Sequence, residues 1–118
     1  GSGPHSGDAD EVGRFPFDPR MVSWLHADVV LLFIGLIVGM LVALYVCGGP
    51  VTARRRMWAL TAVAIAQGAL GYTQYFTGLP IVLVGLHVLG ATVVWVVVLS
   101  VPFGLRIRGE GDVPAVAN

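Results

Sequence analysis

Two histidines interrupt long apolar runs, His26 in SWLHADVV and His87 in VGLHVLGA. Each follows, by seven residues, a proline suited to open a helix, Pro19 or Pro80. Seven residues of α-helix rise about 10 Å, so two helices entered from the same side would hold both imidazoles at one depth. A titratable side chain in hydrocarbon is costly and faces an interior where it has a partner. Two neutral imidazoles cannot satisfy each other at every nitrogen, whereas a metal between them can. A histidine pair on separate helices suits the two axial positions of a haem iron. It suits zinc less well, because zinc takes four ligands and the sequence offers no third or fourth at that depth. Taken singly, an intramembrane histidine serves equally as a hydrogen bonder between helices; the shared depth weighs toward ligation.

The neighbours extend this reading. Gly90 and Ala91 share a helical face with His87 and would leave room for a flat macrocycle, with Trp95 one turn further on to line its edge. Beside His26 stand Val29, Val30 and Phe33, an apolar wall. Gln67, Gly71 and Gln74 form one stripe, and amides in hydrocarbon require partners. That stripe is expected to face the bundle interior. Gln67 is included among the residues around the cofactor, although structural bonding between helices is the more ordinary role of such an amide. Gly35 and Gly39, opposite His26, make a G-x-x-x-G packing face, a signal that is weak alone. Asp28 reads as an acid in the early turns of a helix, and His5 as a solvated side chain.

The elements that must position these residues are membrane spans. The 118 residues are 56% hydrophobic and 12% charged, against about a quarter charged in an ordinary soluble domain. Mean hydropathy is +0.82. A net charge of zero gives no footing for nucleic-acid binding, and the single cysteine, Cys47, excludes an internal disulfide and a thiolate metal cluster. The fold expected is all-α and integral to the membrane. Residues 1–18 form an outer loop rich in Gly, Pro, Asp and Ser, and Asp18-Pro19 caps the first span, 19–47. Residues 48–56 make a turn carrying Arg54, Arg55 and Arg56, and the second span is 57–76. A tight return at 77–79 leads to the third, 80–105, interrupted near its end by Pro102 and Gly104, and 106–118 is a polar tail. The arginines after the first and third spans place those ends in the cytoplasm, so 1–18 and 77–79 lie outside. The opening residues lack the basic flank and apolar run of a signal peptide, and the chain is expected to be an excerpt of a longer one.

At this point a family pattern is visible. GSGPHSGD, LHAD at the head of a span, QGALGYTQYFTGLP and LVGLHVLGA together resemble the C-terminal half of bacterial haem A synthase, particularly its actinobacterial form, from Gly1 to about Leu99. The resemblance implies an eight-helix protein of the bacterial cell membrane made of two four-helix halves. It implies oxidation of a methyl group of haem O to the formyl of haem A, for delivery to cytochrome oxidase. It further implies a substrate haem and catalytic glutamate in the N-terminal half and a haem b with two axial histidines in the C-terminal half. His26 and His87 match those two ligands. The partners implied are the lipid bilayer, the N-terminal half, haem O synthase and oxidase assembly factors. The sequence departs from the family in holding only the last three helices and in lacking the outer-loop cysteines of some members. It is therefore expected to contain no catalytic residue and to be inactive alone. Arg14 or Arg20 would meet haem propionates, or simply lipid headgroups.

Two further functions stay open at this stage. One is a different bis-histidine membrane cytochrome that only passes electrons; the other is a non-haem helical segment whose histidines bond to each other or to neighbouring helices. A substrate half upstream would separate the first from a haem A synthase, and the presence of a b-type spectrum would exclude the second.

Overall fold

The structure is a computed structural model that describes residues 16–106. His5, Arg14, most of the expected outer loop and the tail from 107 lie outside the described residues. The described chain is helical: α1 spans Pro19–Val46, α2 Val51–Phe76 and α3 Ile81–Leu105. Asp18 caps α1, its carboxylate accepting from the Arg20 amide at 3.0 Å, with Pro19 in the first turn where no N–H is required. Helices of 28, 26 and 25 residues are about 37–42 Å long at roughly 1.5 Å per residue.

Two of them, α1 and α3, are long and apolar enough to cross a membrane. Between Met57 and Phe76, α2 carries Gln67, Gln74 and two threonines, Thr61 and Thr73, which dilute its apolar character. It also begins at Val51, six residues before the expected start of the second span. The arginine cluster therefore belongs to its first two turns and not to a loop. Pro50 is what starts the helix early, because a fixed φ and a missing N–H cost nothing at a helix head.

Both connections are tight. The chain leaves α1 through Gly48 at φ +66°, and the amide of Gly49 bonds back to the Leu44 carbonyl at 2.7 Å, a closure that favours glycine at the left-handed position. The α2 to α3 turn closes in the same way, with the Leu79 amide on the Gln74 carbonyl at 2.8 Å. Such short turns force neighbouring helices to run antiparallel, so α1 and α3 point the same way.

The buried core lies at the end of the bundle nearest the arginines. Ile37 and Leu44 of α1 pack with Ala53, Met57 and Leu60 of α2 and Val101 of α3. Polar clamps close that end. Thr52 Oγ1 donates to the Gly104 carbonyl at 2.8 Å, and Arg56 donates to the Ser100 carbonyl. Arg54 Nε donates to the Gly49 carbonyl at 3.1 Å, and its guanidinium lies 5.1 Å from the centre of the Tyr45 ring. A methyl group on Gly104 would sit 3.0 Å from the Ala53 Cα, so the two backbones meet there. Gly104→Ala is expected to spread α2 from α3 and to destabilise the bundle by about 1–3 kcal/mol, read as an earlier thermal transition in detergent.

Away from this core, coverage falls off. Large apolar side chains such as Leu31, Leu36, Val88, Leu89 and Val96 stand exposed along α1 and α3. A helix apolar on every side but buried on few is stable only with an apolar surround. Gly35 and Gly39 have nothing within 4 Å of where a Cβ would stand, so their face of α1 has no partner among the described residues.

Candidate histidine site

Packing between α2 and α3 continues toward the end that holds the heads of α1 and α3, whereas α1 stands apart there. No Cα of α1 comes within 8 Å of one of α3. The buried residues of α1, Ile37 and Leu44, both lie in its second half. Two side chains span the gap between α1 and α3, His26 exposed and His87 half-buried. His26 reaches in from α1 and His87 from α3, with ring centroids 6.2 Å apart and ring planes at 79°.

That separation, with the rings edge to face, can be set against the two uses of the pair. A direct N–H···N hydrogen bond, about 2.9 Å between nitrogens, would bring the centroids to roughly 5.2 Å. A metal bond of about 2.0 Å on each side, plus roughly 1.1 Å from each nitrogen to its ring centre, puts them about 6.3 Å apart. The observed 6.2 Å matches the second arrangement. Linear ligation sets no angle between the planes, since each imidazole can turn about its own metal bond. Among the described residues no group of three or more His, Cys, Asp or Glu side chains gathers, so the two histidines stand as a pair. Two ligands suit an iron whose other four positions belong to a porphyrin.

α2 supports the ring from the other side. A methyl group on Gly71 would lie 3.0 Å from His87 Cε1 and 3.6 Å from Nδ1. The missing side chain thus gives the imidazole its seat. Gln67 Nε2 donates to the His87 carbonyl, which holds the α3 backbone at that turn. Gln74 buries its amide oxygen, and neither that oxygen nor His87 Nδ1 has a hydrogen-bond partner. Two imidazoles from separate helices, with ring centroids 6.2 Å apart, have the chemistry that would hold a haem iron.

The other expected lining residues do different things. Gly90 faces Gln67, whose Oε1 occupies the place where a Cβ would stand. Its bare backbone makes room for the glutamine side chain of α2, where the sequence suggested room for a macrocycle. Gln67 is bonded to backbone, as a tie between helices. Trp95 stands 64% exposed on α3. Arg20 and Asp28 are exposed on α1. Sequence reasoning placed Gly71 on the right stripe but missed that it seats His87; its position one turn before Gln74 and one turn after Gln67 was the available signal.

If Gln67 is a tie and not part of a cofactor pocket, Gln67→Leu should cost about 0.6–2 kcal/mol of stability. Because the tie is to the His87 carbonyl, haem retention per folded protein should fall less than on loss of either histidine, as judged by absorbance against protein concentration. Comparison of the chain with family models, with curated proteins and with solved structures gives no match. The class that fold and site define is a helical bundle with two apolar helices of membrane-spanning length and a histidine pair between them.

Proposed function

We propose that the chain is the C-terminal, haem b-binding electron-transfer part of a haem A synthase, with His26 and His87 as axial ligands. The observation that carries this reading is the 6.2 Å between the two rings, across helices whose backbones do not otherwise meet. The motif resemblance of QGALGYTQYFTGLP and LVGLHVLGA supplies the family. In this reading α2 is a third membrane span, buried in a larger bundle where its amides find partners. The arginine end faces the cytoplasm, and the exposed Gly35/Gly39 face of α1 packs against further helices of an eight-helix protein.

Bound between α1 and α3, haem b would supply one-electron transfer at an iron with no position open to oxygen. The chain's own residues would grip and shield that group. His26 and His87 would hold it, Gly71 leaves the His87 ring its seat, and Gln67 fixes the α3 turn that carries His87. Oxidation of haem O to haem A would belong to an N-terminal half, with haem O synthase and oxidase assembly factors as its partners. Propionate contacts by Arg20 belong to the same proposal.

The test is a reduced-minus-oxidised spectrum of the protein purified from membranes supplied with haem. A sharp b-type band in stoichiometric amount supports the reading. Protein that is folded but colourless removes it and leaves a non-haem helical bundle.

A further inference from the structure

Gln74 Oε1 and His87 Nδ1 are both buried without a partner, and each is what the other lacks. A carboxamide oxygen only accepts; a neutral imidazole donates from whichever nitrogen carries its proton. Side chains on a helix lean toward its N-terminus. Because α2 and α3 are antiparallel, Gln74 leans back along α2 toward Gly71, and His87 leans along α3 toward Pro80. The two therefore converge. Gly71, one turn before Gln74, lies against the His87 ring with its absent Cβ 3.0 Å from Cε1, between Nδ1 at 3.6 Å and Nε2 at 3.8 Å, and of the two nitrogens it is Nδ1 that is buried without a partner. No side chain at residue 71 obstructs the lane between amide and ring.

We propose that Gln74 is the positioning residue of His87: its Oε1 accepts the Nδ1 proton, which leaves the Nε2 lone pair free to face His26 across the gap. The inference rests on the haem reading for its purpose, since a fixed tautomer and ring orientation are what an axial ligand requires. Its physical content is independent of haem, because the hydrogen bond belongs to α2 and α3 alone. Gln67, about two turns earlier, secures the backbone of the same residue. One helix would then hold the ligand at both its carbonyl and its ring.

The tautomer is measured first, on haem-free protein with nitrogen-15-labelled histidine in detergent micelles. Wild type is expected to show His87 as a single tautomer protonated at Nδ1. Gln74→Leu should show exchange between both tautomers, and Gln74→Glu should restore the single form. Gln74→Asn, too short to reach but still an amide, should behave as the leucine variant and covers the case in which leucine disturbs folding. An unchanged His87 tautomer in the leucine or asparagine variant overturns the proposal. Titration with haem is the second readout. Gln74→Leu should bind roughly 10–100-fold more weakly than wild type, with recovery in Gln74→Glu; equal affinities overturn the proposal. Failure of wild type to bind haem would sink the haem reading alone, and the tautomer measurement would still decide the role of Gln74.

Discussion

His87→Ala and His26→Ala each abolish the low-spin b-type spectrum, while the far-ultraviolet signature of the helices persists. The two ring centroids lie 6.2 Å apart, and under the proposed ligation removal of either ring would leave iron with one protein ligand and an open face. Neither ring belongs to the buried core, which is built from Ile37, Leu44, Ala53, Met57, Leu60 and Val101 at the other end of the bundle. Loss of haem should therefore occur without loss of fold. If the histidines were instead ties between helices, the same substitutions would lower thermal stability and leave any spectrum intact. Haem content and melting temperature, measured together on each variant, separate the two.

Gly71→Leu should be nearly as damaging to haem binding, from a residue that touches no metal. Even a methyl group there approaches His87 Cε1 to 3.0 Å, and three further carbons have no space that the imidazole does not occupy. The ring must swing out of line with His26. Retention of haem is expected to fall on the order of tenfold or more, whereas Gly68→Leu, at a glycine on α2 with nothing within 4 Å of a Cβ, should leave it unchanged. Competition of each variant against apomyoglobin for haem gives the comparison directly.

Several features of this arrangement were legible in the residues. The equal spacing of His26 and His87 from their prolines implied a common depth, and the two rings do meet. The Gln67, Gly71, Gln74 stripe could be read because helical periodicity puts those positions on one side, and that side meets α3. Other features depend on quantities that periodicity does not carry. That α1 stands clear of α3 at the histidine end follows from how three helices lean on one another once a core has formed at the arginine end. The role of Gly90 turned on the reach of a glutamine side chain from the neighbouring helix, which no spacing within α3 encodes. The early start of α2 was hidden because arginines at a helix head look like a loop when only the apolar run is counted. Trp95 was assigned by its distance along α3, and distance along one helix does not say whether a neighbour covers that face.

The central claim is that these two rings share one iron, and electron paramagnetic resonance of the oxidised, haem-loaded protein tests it most directly. Two imidazoles on one iron give a six-coordinate, low-spin centre, so the account predicts a low-spin ferric signal that disappears in either histidine variant. A high-spin ferric signal in wild type, or a low-spin signal that survives replacement of His26 or His87, would contradict it.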